Sequence, residues 1–218
     1  VLILGTLIAL VYFSIQGMNL MFFQGVLPLL QSQTKNSGME SGDLMSALHN
    51  AAKSDNRVAS IVDNISAYPN ELLELLIRNP ETTDFVLHYP QQKNGMQMVS
   101  LTQAEKAKGV PLLLQWDERW GYARYGNSII GLTGCGPTCL SMVAIGVTGN
   151  TSINPKVVAQ FSELRGYAIS GSGTDWELFT HGAKSYGLEV KELPLSESKM
   201  LQEIENGHPI ICGMKPGD

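Results

Sequence analysis

The sequence predicts an α+β fold in which helices come first and a sheet builds up towards the carboxyl end. Three observations lead there. Residues 43–88 repeat apolar side chains at helix spacing. A glycine- and aromatic-rich loop at about 115–134 then leads into an apolar helix. After it, short apolar runs bounded by Gly and Pro are interleaved with capped helical segments, which is how helices and strands share one domain.

Taken in order, residues 1–15 (VLILGTLIALVYFSI) are almost wholly apolar, and no charge occurs before Lys35. A membrane-spanning helix needs about 20 predominantly apolar residues. The run through Phe23 approaches that length if Gln16 and Asn19 lie near one edge. Residues 1–24 therefore read as a transmembrane signal anchor. A cleavable signal peptide lacks its small-residue cleavage site here, and a buried core helix is the third reading. The chain begins with Val1 and stops at Asp218 after an apolar run, so both ends read as cut. An anchor whose basic flank precedes Val1 places the rest of the chain outside the cytoplasm, attached to the cell membrane by a single pass.

Residues 31–42 (QSQTKNSGMESG) are polar and Gly/Ser-rich, which predicts a flexible linker. In 43–108, Leu44, Leu48 and Ala51, then Val58, Ile61, Val62 and Ile65, recur at helical spacing. Pro69 suits the first turn of a further helix carrying Leu72, Leu73, Leu75 and Leu76, which Asn79-Pro80 ends. No chemical constellation sits in this region. It reads as a helical stalk or extension that packs on the carboxyl-terminal domain or holds it at a distance.

The domain predicted over 109–218 opens with an apolar, strand-like run at 110–114. An apolar helix is expected over about 137–146. Asn154-Pro155 is a cap followed by proline at the first helical position, with Gly166 as terminator. Thr174 or Asp175 opens the next helix and Gly187 lies beyond its end. A strand is expected at 189–195, a helix at 196–206 stopped by Gly207, and a last strand at 209–214.

Composition excludes several classes. The formal net charge is −5 and the Lys and Arg residues are scattered, whereas nucleic-acid binding needs a concentrated basic face. Three cysteines with no CxxC pair argue against a disulfide framework or a cysteine-rich zinc site. The four histidines, His49, His88, His181 and His208, form no HExxH pattern, so no metal or other cofactor is expected. No ATP-binding P-loop pattern occurs either, which argues against a peptidase fused to an exporter.

The segment that carries chemistry is Gly134-Cys135-Gly136-Pro137-Thr138. A cysteine at the mouth of an apolar helix meets unsatisfied backbone N–H groups and the positive end of the helix dipole. Such a position favours the thiolate, which is the reactive form of cysteine. The Cys135 N–H is also placed to hold a developing oxyanion, and Gln115 upstream could add a second donor. Cys139 and Cys212 read as core thiols, and Cys135 itself could be one. His208 stands in a turn entering a strand, and His181 on a helix. Trp116, Trp120, Tyr122 and Tyr125 either line a substrate groove or wedge a loop against the core. Asp117 and Glu118 are neighbours on a loop and suit glycosidic acid–base work poorly.

The runs VPLLLQWDERWGYARYG and IIGLTGCGPTCLSMVAIGVTG, then NPKVVAQFSELRGY, GTDWELFTHGAKSYGL and NGHPIICGMKPGD, resemble the peptidase family 39-like group of papain-fold cysteine peptidases. The likeness covers roughly 110–218 and is to bacterial, membrane-anchored members, relatives of the peptidases that trim double-glycine leaders. It implies a papain-like fold, hydrolysis of a peptide or amide bond in a peptide or protein substrate, Cys135 as nucleophile and Gln115 as oxyanion glutamine. It also implies a Gly-His motif on a strand following residue 218, and later an Asp or Asn that orients the histidine, so that the chain as given lacks its base. Two other functions stay open: a peptide-binding module that keeps the fold without the chemistry, and a cell-wall peptide hydrolase.

Overall fold

The computed structural model describes residues 39–95, 99–107, 109–171 and 173–213, and the backbone of two amino-terminal strands, β1 (Leu7–Leu10) and β2 (Asn19–Phe23). Helices and strands are mixed in an α+β arrangement. The membrane helix expected over 1–24 lies outside the described residues except at β1 and β2, which are strands. No helix among the described residues is long and apolar enough to cross a membrane. The linker expected at 31–42 lies outside them up to residue 38, and its last two residues already belong to a helix.

The helical region forms four short helices: α1 (Ser41–Ala52), α2 (Asn56–Asp63), α3 (Asn70–Arg78) and α4 (Thr83–Gln92). Asp55 caps α2 by accepting from the Arg57 N–H at 2.8 Å, and Pro69 stands immediately before α3. The predicted apolar stripes meet in one core of Leu44, Leu48, Val58, Ile61, Leu72, Leu73, Leu76, Phe85 and Val86. Tyr122 belongs to this core as well, although it comes from the aromatic loop. The helices are thus packed onto the following domain. A short helix, α5 (Gln103–Lys106), opens with a capping box in which Thr102 and Glu105 satisfy each other's backbone N–H.

The run at 110–114 departs from expectation. It forms no strand and pairs with none among the described residues, and Pro111 lacks the N–H a ladder would use. Its pitch still alternates, with Leu113 3% exposed between Leu112 at 70% and Leu114 at 40%. A small hairpin of β3 (Arg124–Tyr125) and β4 (Ser128–Ile129) turns at Gly126, whose φ is 63°. It runs into α6 (Ile130–Thr133) and then into the central helix α7 (Cys135–Thr148).

Helix α7 is longer than the sequence predicts and is buried continuously from Gly136 to Ile145. A helix apolar on all sides must be surrounded. Each fully buried Leu or Val on it contributes roughly 1.5–3 kcal/mol. Its main partner is α8 (Pro155–Leu164), which is capped by Asn154 and followed by Gly166 at a φ of 78°. A second hairpin, β5 (Ala168–Ile169) with β6 (Gly173–Thr174), comes next, followed by α9 (Glu177–Thr180) and a 3₁₀ turn ending at Gly187. The last elements are β7 (Glu189–Leu193), α10 (Glu197–Glu205) and β8 (Ile210–Gly213), close to the predicted bounds. In the one larger sheet the order is β1-β8-β2-β7, with β2 parallel to both β7 and β8 and β1 antiparallel to β8.

Candidate active site

Cys135 is the first residue of α7, and Gly134 joins it to α6. The join is tight. A Cβ on Gly134 would lie 2.6–2.8 Å from the Ile130 side chain and backbone, so only glycine fits. The Gly134 carbonyl accepts from both the backbone N–H and the hydroxyl of Thr138, at 3.0 and 2.8 Å. Pro137 has no N–H, so the N–H groups of Cys135 and Gly136 are left at the helix mouth, and both bear on the thiol. This is the anion-favouring corner that the sequence predicts.

Burial works against it. Cys135 is half-buried, and desolvation pushes its thiol pKa up, outweighing the backbone N–H groups of Gly136 and Cys135 that pull it down. The pull of the helix mouth towards the thiolate is thus opposed by burial, which favours the protonated sulfur. Cys139, one turn along, and Cys212 on β8 are buried, and their thiols are also pushed up by desolvation. Both fit the core role the sequence assigns them.

The β5–β6 hairpin packs against the helix mouth. A Cβ on Gly136 would come within 2.6 Å of the Thr174 Oγ1, so Thr174 lies directly on the helix mouth. Thr174 is itself fixed: its hydroxyl is 2.7 Å from the Tyr125 phenol, which is 2.8 Å from the Ser162 hydroxyl on α8. Tyr125 is 1% exposed, and burial, the largest influence, raises its pKa. The charge of a Cys135 thiolate would push that pKa the same way, so the phenol is within electrostatic reach of the sulfur. Of this trio only Tyr125 is read as a groove or packing residue from the sequence, and Thr174 stands there only as a helix opener. Ser162 and Thr174 lie 37 and 49 residues beyond Tyr125.

Gln115 reaches the same neighbourhood. Its side-chain amide donates to the Gly131 carbonyl at 3.0 Å, in the turn that immediately precedes Cys135. The bond brings the two predicted site residues onto one local scaffold, with Gln115 committed to Gly131 and not to the thiol. The loop after Gln115 is held by Arg119. Its guanidinium contacts Asp117 at 2.6 Å and Glu105 at 2.7 Å, donates to the Ser100 carbonyl at 2.9 Å, and lies 4.5 Å from the Trp120 ring. The Arg119 contact holds the Glu105 carboxyl down at about 2. The Trp120 indole donates to the Leu114 carbonyl at 2.8 Å.

Trp120, Tyr122 and Tyr125 are buried and wedge the loop against the core, and Trp116 is partly buried against the helical core; Trp120 and Tyr122 also contribute to cavity walls. Asp117 is committed to Arg119, and Glu118 meets His88 at 2.8 Å across the seam with α4. Two cavities of about 380 and 310 Å³ share Lys93, Tyr122 and Arg124; neither is lined by Cys135 or Gln115.

Each histidine is engaged away from the thiol. His49 bonds the Met45 carbonyl at 2.7 Å, and His181 lies 3.3 Å from the Thr180 hydroxyl. His208 lies 2.5 Å from Glu203, so the histidine nearest in pattern to a Gly-His motif is tied to α10. Among the described residues no three His, Cys, Asp or Glu side chains converge as a metal would require. No family model, curated protein or solved structure matches the chain.

Proposed function

We propose that this protein is a thiol-dependent hydrolase of peptide or amide bonds, built on a papain-like fold, with Cys135 as nucleophile and Gln115 as a donor to the oxyanion. One observation carries the reading: a cysteine at the mouth of a buried helix, with two backbone N–H groups bearing on its sulfur and Gln115 bonded to the turn just before it. Acyl transfer needs a sulfur nucleophile and two donors aimed where the carbonyl oxygen becomes negative.

In the proposed sequence a base removes the Cys135 proton and the thiolate attacks the carbonyl carbon. The oxyanion sits against the Cys135 N–H and the Gln115 amide. The same base returns the proton to the leaving amine, a thioester forms, and water, deprotonated by that base, releases the acid. Because burial favours the protonated thiol, the mechanism calls for a nearby base. The family resemblance puts the base on a histidine of a strand following Asp218; His49, His88, His181 and His208 each have other partners. The proposal places the domain outside the cytoplasm, tethered through residues 1–24. Carbonate extraction tests the tether.

A second reading is favoured by the half-buried thiol and by the Gln115 amide being bonded to the Gly131 carbonyl. A module that keeps the fold and holds a peptide without cleaving it has no use for an ionised thiol. Turnover of peptide substrates by the full-length gene product separates the two. Cys135→Ala is expected to abolish hydrolysis, and Gln115→Ala to lower kcat about 10²–10³-fold, the usual loss on removing an oxyanion donor. Hydrolysis that survives in Cys135→Ala would overturn the proposal.

A further inference from the structure

One ring of the helical region bears directly on the turn that holds Gln115. Phe85, on α4, is 2% exposed. It stacks on Tyr122 with ring centroids 4.5 Å apart and planes 10° from parallel, while the Tyr122 hydroxyl donates to the Phe85 carbonyl at 2.8 Å. The same ring rests on two glycines. A Cβ at Gly121 would come 2.6 Å from Phe85 Cε2, and one at Gly131 would come 2.8 Å from Cε1 and closer still to Cζ. The two glycines also hold each other: the Gly131 N–H donates to the Gly121 carbonyl at 2.8 Å.

Gly131 is the residue whose carbonyl receives the Gln115 amide. Ring, glycine pair and glutamine therefore form one stack. Phe85 sets where the Gly131 turn lies, and the Gly131 carbonyl sets where the Gln115 amide lies. A wedge of this kind transmits displacement because a close-packed interior has no slack to absorb it.

We infer that α4 is an organising element of the site, with Phe85 as a positioning residue that holds Gln115 through Gly131. This deepens the hydrolase reading and rests on it for its significance. The helical region is on this account a component of the donor geometry. The His88–Glu118 contact at 2.8 Å makes a second tie across the same seam.

The test uses the full chain, labelled with ¹⁵N, and follows the Gln115 side-chain amide by NMR, with the signal assigned by its loss in Gln115→Glu. Phe85→Ala is expected to move that signal to the position of a free amide and to speed its exchange with solvent at least tenfold. Phe85→Leu, which keeps part of the wedge, is expected to fall between. Leu48→Ala, in the same helical core with no contact to the glycine pair, is expected to leave the signal in place. An unmoved signal in Phe85→Ala overturns the inference, as does an equal displacement in Leu48→Ala. If Phe85→Ala does not fold, Phe85→Leu against Leu48→Ala gives the same decision. Failure here is separate from failure of the hydrolase reading, since the Cys135→Ala assay does not depend on where the Gln115 amide sits.

Discussion

Gly136→Ala tests the closure of the helix mouth. The new methyl would lie 2.6 Å from Thr174 Oγ1, 2.7 Å from its Cβ and 2.8 Å from its Cγ2. Thr174 cannot simply swing aside, because its hydroxyl is tied to Tyr125, which is tied in turn to Ser162. Overpacking of this kind costs about 1–3 kcal/mol. Loss of the Tyr125–Thr174 hydrogen bond adds about 1 kcal/mol, and the helix propensity of alanine offsets up to ~1 kcal/mol. The net expectation is about 1–3 kcal/mol, or roughly 2–12 °C in Tm for a domain of this size. Urea unfolding monitored by tryptophan fluorescence measures it. Thr174→Ala removes two of the three clashing atoms, so the double variant is expected to recover at least ~1 kcal/mol of coupling. A Gly136→Ala chain within ~0.5 kcal/mol of the parent, or strictly additive effects, would refute the packing described for the hairpin on the helix mouth.

The same geometry sets other outcomes. Arg119→Lys loses the forked contact to Asp117 and Glu105, which are partly buried, and is expected to destabilise by about 1–3 kcal/mol in urea unfolding. Because the folded-state Glu105 pKa is depressed, its contribution is present above the ordinary carboxylate value of 4.5 and is lost as pH falls towards about 2. Arg119→Lys should therefore flatten the acid limb of the stability curve, and an unchanged limb would exclude the clamp. At the alkaline end, the raised thiols keep their protons in the fold while the unfolded chain releases them, so stability is expected to fall as pH rises above 9.0. Cys212→Ala should reduce that slope. Residues 1–24 cannot be at once a membrane helix and the two strands of the sheet. Retention of the protein in the membrane pellet after carbonate extraction supports the tether; release into the supernatant assigns the run to the sheet.

Local rules carried much of the architecture. Asn154-Pro155 and Gly166 bracket α8 because capping and left-handed termination act within a turn of the residues that cause them. Gly187 and Gly207, at φ of 77° and 81°, mark the ends of their segments for the same reason. The place of Cys135 at the first turn of α7 was legible because a helix mouth has a local signature, whereas the bond from Gln115 to Gly131 was not. The burial of the thiol was not legible. Nor was the return of Thr174 to the helix mouth beside it, since nothing near Cys135 in sequence announces that contact. Phe85 was missed for a related reason: its partners lie tens of residues away, and the only trace is a pair of glycines in the aromatic loop and the turn after it. The strand expected at 110–114 shows the reverse error. Its alternation is real, but a partner strand is a tertiary fact that alternation alone does not supply.

The most direct measurement is the rate at which iodoacetamide alkylates Cys135 in the folded full-length protein, mapped by mass spectrometry from pH 5 to 10. If a base attends the thiol, the Cys135 adduct forms rapidly at neutral pH, well ahead of Cys139 and Cys212, and a bound peptide substrate slows it. A Cys135 that stays as unreactive as its two buried neighbours until the pH passes the ordinary thiol range would leave a peptide-binding fold with no nucleophile.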